Sequence, residues 1–203
     1  MSGTLRSLGR LQAKSTALFI CDVQERFRSH IHAFGSVITT AQKMVAAANI
    51  LEIPIFATEQ YSQRLGNTVP EIDISKAKLV LEKSKFSMVL PEMEEALQNH
   101  GIKSVVLLGI ESHVCVLQTA LDLLEREYDV HVVSDGVSSM NAPEVPVALD
   151  RMRQSGAFVA TSETLLFQLT KDAKSPSFKA ISSLVKEFQP AARDNKLLYR
   201  SNM

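Results

Sequence analysis

The sequence predicts an α/β fold in which a six-stranded parallel sheet lies between two layers of helices, a three-layer α/β/α architecture of the Rossmann-like kind. Short apolar runs such as 104–109 lack polar alternation, which is typical of parallel strands covered on both faces. Helical spacing of apolar residues follows most of these runs, and such alternation builds a parallel sheet. The 203 residues, 45% hydrophobic, suit one domain with a sizeable core.

Each element is predicted by its apolar pattern and by the residues at its boundaries. The predicted strands are residues 16–22, 53–58, 79–82, 104–109, 130–134 and 157–161. The predicted helices are residues 34–51, 91–99, a segment that ends near 126, 143–154, 163–170 and 177–187. The long connection 59–78 contains Gly66 and Pro70, and we expect it to lie over the sheet edge.

The boundaries have simple physical reasons. The first helix places Val37, Ala41 and Met44 on one face. Pro54 stands at the start of the second strand, where a missing N–H is tolerated. Pro91 opens the next helix, because proline suits the first helical turn.

The second half of the chain follows the same logic. After the fourth strand, Val114, Leu117 and Leu124 recur at helical spacing and predict the helix that ends near 126. Gly156 separates the fourth predicted helix from the sixth strand, as glycine often does at a helix end. We therefore expect residues 15–188 to form the domain, preceded by a flexible segment 1–14 and followed by a loosely ordered tail 189–203.

Composition limits the class of partner and compartment. The 22 basic residues balance 22 acidic ones, so charge gives no reason to expect nucleic acid or an anionic membrane as a partner. The apolar runs are of strand length, too short to span a bilayer. Two cysteines make no disulfide framework, and a reducing cytoplasmic location is expected. The basic residues of segment 1–14 leave a mitochondrial transit peptide as the alternative.

Three chemically useful side chains stand at predicted strand ends. Asp22 ends the first strand, Lys83 or Lys85 follows the third, and Cys115 follows the fourth at a helix start. Ligand crevices of open α/β sheets lie at the carboxyl ends of the strands. A helix start favours a thiolate, which makes Cys115 a candidate nucleophile. Each residue alone also suits a structural role, because free cysteines are often buried and acids often cap loops.

A cysteine nucleophile needs a base, and two candidates are present. Asp22 can accept the thiol proton and later return it to a leaving group. His113 lies two residues before Cys115, and positions i and i+2 do not share a helix face, so we expect Asp22 to act instead. Cys21 precedes Asp22, and strand alternation predicts that it points to the opposite face and packs in the core.

The segments Asp22-Val23-Gln24, Lys83-x-x-Phe86-Ser87 and Gly109-Ile110-Glu111-x-x-x-Cys115-Val116 together resemble the isochorismatase-like cysteine hydrolase family, in order and spacing, over residues 15–170. The resemblance implies a catalytic triad of Asp22, Lys83 and Cys115. It selects Lys83 because the family's lysine precedes an aromatic-serine pair by three residues. It also implies hydrolase activity and a homo-oligomer, a dimer or tetramer.

The family further implies a cis peptide bond between Ile110 and Glu111. That bond would turn backbone N–H groups inward to form an oxyanion hole with the amide of Cys115. By position, Gln24, Phe27, Gln60 and Tyr61 are candidate substrate-binding residues, and each also suits a structural role.

The departures from the family pattern bear on substrate and metal. Nicotinamidases of this family carry an Asp-x-His arrangement after the second strand, where this chain has Thr58-Glu59-Gln60-Tyr61. We therefore expect no metal, no cofactor and a substrate other than nicotinamide. Isochorismate-cleaving members typically lack the cysteine that is present here, so the family name does not give the activity.

Two classes of function follow from these observations. The first is a cysteine hydrolase that acts on a small amide or related carbonyl substrate through a thioester intermediate. The second is a catalytically weak protein that keeps the fold and works mainly by binding another protein, since a fold does not fix function.

Overall fold

A computed structural model describes residues 7–198 and shows a six-stranded, all-parallel sheet between two helical layers. The strands are β1 Thr16–Cys21, β2 Ile55–Gln60, β3 Leu79–Lys83, β4 Ser104–Ile110, β5 Asp129–Ser138 and β6 Phe158–Ala160. The helices are α1 Phe34–Ile50, α2 Ser62–Leu65, α3 Pro91–Asn99, α4 Leu117–Glu125, α5 Glu144–Ser155, α6 Ser162–Thr170, α7 Phe178–Glu187 and α8 Gln189–Arg193. The predicted three-layer fold is confirmed.

The strand order is β3-β2-β1-β4-β5-β6, so the direction of winding reverses between β1 and β4. These two strands are neighbours, and Cys21 at the end of β1 pairs with Gly109 near the end of β4. A reversal of this kind leaves a crevice at the carboxyl ends of the two strands, where ligands bind in open α/β sheets. Asp22 and Cys115 follow these two strand ends.

Both faces of the sheet are covered by apolar cores. Leu18 of β1 belongs to the core shared with α1, α6 and α7, whereas its neighbour Phe19 belongs to the core shared with α3, α4 and α5. Every residue of β1 and β4 is buried as a result. This double burial explains why these strands read as continuous apolar runs.

Strand β5 is longer than the sequence predicts, because it continues through the polar stretch 134–138. The register of its pairing with β4 shifts between Leu107 and Gly109. Gly136 lies so close to Thr40 of α1 that an added Cβ would stand 2.9 Å from the threonine methyl. A polar strand with a central glycine gives no apolar signal, so the sequence pattern ends too early.

Each of the two predicted end segments makes contacts with the domain at particular described residues. At the C-terminal side, Asn195 donates to the carbonyl of Asp135 at 2.9 Å and Leu197 is buried in the core. At the N-terminal side, Leu11 is buried and the Ser7 hydroxyl donates to Asp129 at 2.9 Å. The remainder of the predicted segments, 1–6 and 199–203, lies outside the described residues.

Candidate active site

Asp22 leaves the β1 strand with a left-handed backbone, φ 54°, and turns a buried carboxylate toward the carboxyl ends of β2 and β3. Its Oδ1 accepts a hydrogen bond from Thr58 Oγ1 of β2 at 2.8 Å. Its Oδ2 accepts one from Lys83 Nζ of β3 at 2.7 Å. The carboxylate is therefore fixed by two neighbouring strands.

Lys83 is held even more tightly than Asp22. Its side chain is 0% exposed, and Nζ also donates to Gln60 Oε1 at 2.6 Å and to the Phe86 carbonyl at 2.9 Å. Lys85 is half exposed and pairs with Asp122 at 2.8 Å. Lys83, and not Lys85, therefore forms the buried ion pair with Asp22.

The charges around Lys83 keep its ammonium protonated. Burial by itself lowers the pKa of Lys83. Electrostatic interactions with the side chains of Cys21, Asp22 and Cys115 outweigh that effect, and the hydrogen bond with Asp22 adds to them, so the pKa of Lys83 is raised above its usual value. The structure thus places both cysteines within electrostatic reach of one buried cation.

Cys115 lies in a π-helical turn, Ser112–Val116, that joins β4 to α4. The carbonyl of Glu111 accepts the N–H groups of Val114 at 2.9 Å and of Val116 at 3.3 Å. Cys115 is 6% exposed. A nearly buried cysteine that lies between a strand end and a helix start is placed as acyl transfer requires of a nucleophile.

The peptide bond between Ile110 and Glu111 is trans, which corrects the expected cis bond. The chain turns at this point because Glu111 adopts a left-handed conformation, φ 56°. A left-handed residue redirects the backbone from strand to helix without a cis bond. Ile110 itself is the last residue of β4 and is fully buried.

Cys21 is a part of the site that the sequence pattern misplaced. It is buried in the core as predicted, but Cys21 Sγ lies 3.6 Å from Asp22 Oδ2 and its side chain interacts with that of Cys115. Burial, the hydrogen bond with Cys115 and the charge of Asp22, in that order, raise the pKa of Cys21 well above its usual value. Alternation fails here because Asp22 has left the extended conformation.

The four candidate substrate-binding residues fall into two groups. The amides of Gln24 and Gln60 are buried and used internally: Gln24 bonds to both backbone groups of Gln60, and Gln60 Nε2 donates to the Ser84 carbonyl at 2.8 Å. Tyr61 is 51% exposed directly after β2, and Phe27 packs against the core of α1. The glutamines therefore brace the ion pair, and Tyr61 faces solvent.

His113 has partners other than Cys115. Its Nδ1 lies 3.0 Å from Ser139 Oγ and 3.4 Å from Glu111 Oε2, and Ser139 Oγ lies 2.6 Å from Ser112 Oγ. These contacts attach the π-helical turn to the end of β5. They orient the imidazole toward the serines and Glu111.

Residues 7–198 contain neither a metal-binding cluster nor a membrane-spanning helix. No group of three or more His, Cys, Asp or Glu side chains is arranged to hold a metal ion within these residues. None of the helices in the same residues combines the length and apolar character needed to cross a membrane.

Comparison with known proteins decides the family. Residues 16–164 match the isochorismatase domain. The chain belongs to the isochorismatase family. Isochorismatase domain-containing protein 1 of Salmo salar is 50% identical over 184 residues, which cover 90% of this chain and 65% of that protein. Isochorismatase domain-containing protein 2 of Homo sapiens is 46% identical over 190 residues, which cover 94% and 92% of the two chains.

This chain thus spans just under two thirds of the Salmo salar relative and nearly all of the human one. Among solved structures, a MAR1 ribonuclease from Caenorhabditis elegans is 41% identical, with a TM-score of 0.87 over 96% of this chain and 100% of that one. The YcaC gene product of Escherichia coli, described as an octameric hydrolase of unknown specificity, is 23% identical with a TM-score of 0.83 over 94% and 96% of the chains. This isochorismatase-family chain therefore shares its fold with both proteins.

Proposed function

We propose that this isochorismatase-family protein is a cysteine hydrolase of small amides or related carbonyl compounds, with Cys115, Lys83 and Asp22 as its catalytic triad. The observation that carries the proposal is the buried Lys83–Asp22 ion pair, 2.7 Å long, at the strand ends beside Cys115. A buried charge pair is costly to desolvate, and its position in the crevice at the reversal of strand order suits chemistry.

The proposed reaction passes through a thioester. Asp22 accepts the Cys115 proton, and the sulfur forms a bond to the substrate carbonyl carbon. The N–H of Cys115 donates to the developing oxyanion, and the Lys83 ammonium stabilises the negative charge on sulfur and carboxylate. The carbon–nitrogen bond then breaks, and Asp22 returns the proton to the leaving amine. Water, deprotonated by Asp22, hydrolyses the thioester.

Burial of the triad supports a small substrate. Asp22, Lys83 and Cys115 are each at most 6% exposed, so a polymer has little direct access to the sulfur. The C. elegans relative is named as a ribonuclease, so RNA is the alternative substrate that must be tested beside small carbonyl compounds. We place small carbonyl compounds first because a thiol nucleophile with an oxyanion hole is suited to acyl carbon.

A screen of small amides, thioesters and one RNA substrate tests the proposal. The variants are wild type, Cys115→Ala and, as a matched control for loss of a buried thiol, Cys21→Ala. We expect turnover of at least one carbonyl substrate in wild type, a covalent acyl adduct on Cys115 by mass spectrometry, and no turnover in Cys115→Ala. RNA cleavage that persists in Cys115→Ala, with no acyl adduct in any preparation, would contradict it.

The same preparations test metal independence and the alternative function. Because we propose that Asp22 and Lys83 activate Cys115, exhaustive chelation of metal ions should leave the hydrolase activity unchanged. A loss of activity on chelation that zinc or magnesium restores would contradict metal independence. For the alternative, a protein that works mainly by binding another protein, an acyl-type probe should label Cys115 no faster than Cys21.

A further inference from the structure

The chain contains two cysteines, and both lie at the candidate site. Cys21 ends β1, Cys115 lies in the turn after β4, and these two strands are neighbours in the sheet. Both side chains belong to the same buried apolar cluster, and the side chain of Cys21 interacts with that of Cys115. The proposed hydrolysis uses only Cys115, so Cys21 has no part in it.

We propose that Cys21 and Cys115 form a redox modification site in which a peroxide oxidises Cys115 to a sulfenic acid and Cys21 converts it to an intramolecular disulfide. This inference rests on the proposed function only in that Cys115 is the reactive cysteine. The reversible loss of the nucleophile would make hydrolysis responsive to oxidants.

The surroundings of the two thiols set the order of oxidation. Cys115 lies near the Lys83 ammonium, and a thiolate beside a cation is the form that reacts with peroxides. Cys21 is 0% exposed, and its raised pKa keeps it a neutral, unreactive thiol. Peroxide is therefore expected to attack at Cys115 and to spare Cys21.

The first step consumes the oxidant. Asp22 takes the Cys115 thiol proton, and the sulfur forms a bond to one peroxide oxygen as the O–O bond breaks. The other oxygen leaves as hydroxide, which takes the proton back from Asp22 and becomes water, so the carboxylate is free again for the next step. Sulfur loses two electrons and becomes a sulfenic acid, and the peroxide is reduced.

The second step uses a base that is already present. Cys21 Sγ lies 3.6 Å from Asp22 Oδ2, so the carboxylate can take the thiol proton as Cys21 attacks the sulfur of Cys115. The S–O bond of the sulfenic acid breaks, and the leaving hydroxide takes the proton and departs as water. Two thiols and one hydrogen peroxide thus give one disulfide and two waters. The disulfide protects Cys115 from irreversible oxidation to sulfinic acid.

Mass spectrometry of the full folded chain tests this site without any enzyme assay. Protein is exposed to hydrogen peroxide, the oxidant is removed, and the chain is unfolded in an alkylating reagent and digested without reductant. We expect a linked pair of peptides that contain Cys21 and Cys115, with alkylatable thiols falling from two to none. Dithiothreitol should restore both thiols.

Three variants complete the design. In Cys21→Ser, Cys115 should be oxidised further to a sulfinic acid that dithiothreitol does not reduce. Cys21→Ala replaces this variant if serine disturbs the core, and the same result is expected. In Cys115→Ser, Cys21 should stay reduced at the same peroxide dose. Melting curves establish that each variant is folded before exposure.

The opposite outcomes would overturn the inference. These are Cys115 that stays unmodified, sulfinic acid in wild type without a linked peptide, or a link between two chains rather than within one. Because the readout is mass, a disulfide in a protein without turnover would refute the proposed function alone. An active hydrolase without the disulfide would refute only the redox site.

Discussion

At the scale of single residues, Asp22 is the centre of the candidate site. Thr58, Lys83 and Cys21 all direct a polar hydrogen at its carboxylate, and the residue holds a left-handed backbone. Strain of this kind persists where surrounding contacts fix the conformation, and it concentrates at functional sites. The acid at the strand end was visible in the sequence, whereas its partners on β2 were not.

We expect Asp22→Asn to lower turnover by about 10²–10⁴-fold, because it removes the proton acceptor. Because asparagine has nearly the same shape as aspartate, shape alone predicts little change in the free energy of unfolding. The structure predicts otherwise: Lys83 would keep a buried charge without its counterion, which costs about 3–5 kcal/mol of unfolding free energy. Chemical denaturation and an activity assay on one preparation measure both effects.

The double variant Asp22→Asn with Lys83→Met separates the two effects. Removing the orphaned ammonium should restore much of the unfolding free energy and none of the turnover. An Asp22→Asn protein with wild-type turnover would remove Asp22 from the mechanism, and Glu111 and His113 would then be tested as bases.

Thr58 is a positioning residue that the sequence analysis did not single out. Thr58→Val removes the donor to Asp22 Oδ1 and leaves the shape of the side chain. We expect kcat to fall about tenfold with little change in KM, equivalent to about 1.4 kcal/mol of positioning. Thr58→Ser keeps the hydroxyl and should retain activity. Equal losses in both variants would show that packing, and not the hydrogen bond, is responsible.

At the scale of elements, the junction of β4 and α4 places the nucleophile. Gly109 has φ 142° and lies against the end of β1, Glu111 turns the chain, and the π-helical turn then presents Cys115. A π-helical turn is rare and is often found at functional sites. Apolar spacing predicted only an ordinary helix start. The π-helical turn comes before α4, so it leaves the spacing of the apolar residues within α4 unchanged.

Gly109→Ala should disrupt this junction. An added Cβ would stand 2.2 Å from the Cys21 carbonyl oxygen and 2.6 Å from Cys21 Cβ, and the backbone conformation is one that favours glycine. We expect a loss of about 3 kcal/mol or more in unfolding free energy, measured by denaturation. Gly35→Ala is the matched control, because nothing lies within 4 Å of its added Cβ and α1 accepts alanine. Equal stability of the two variants would contradict the argument.

At the scale of the whole molecule, one buried histidine couples folding to pH. His131 of β5 is buried, stacks on Phe158 at 5.0 Å, and has no hydrogen-bond partner for either ring nitrogen among the described residues. Burial lowers its pKa to about 4, and the charge of Asp129 opposes that shift only in part.

The depressed pKa of His131 means that the unfolded chain binds a proton more readily than the folded one. Neutral His131 therefore contributes roughly 3 kcal/mol to the free energy of unfolding at pH values above its unfolded pKa of about 6.5. This contribution is lost as the pH falls from there toward about 4. His131→Leu should remove this part of the pH dependence in denaturation curves recorded between these limits. Identical pH dependence in the variant and wild type would refute the assignment.

We also propose that the whole molecule assembles as a homo-oligomer, a dimer or tetramer, on the strength of the family resemblance. The apolar residues of α6 and α7 give no reason for it, because Leu165, Leu166, Ile181 and Leu184 are buried within one chain. Phe167 is 39% exposed on the same helices. Light scattering at micromolar concentration should exceed the 22.4 kDa of one chain, and a monomer would contradict the proposal.

The sequence by itself determined the fold class, the family and the positions of Asp22, Lys83 and Cys115 at strand ends. It could do so because parallel strands buried on both faces leave long apolar runs, and the chemistry follows directly after them. Tertiary structure alone decided that Thr58 and Gln60 brace the ion pair of Lys83 and Asp22, and that the side chain of Cys21 lies close to that of Cys115. The residues in these contacts are 23 to 94 positions apart in the sequence. Left-handed turns, which no local sequence pattern encodes, bring them together.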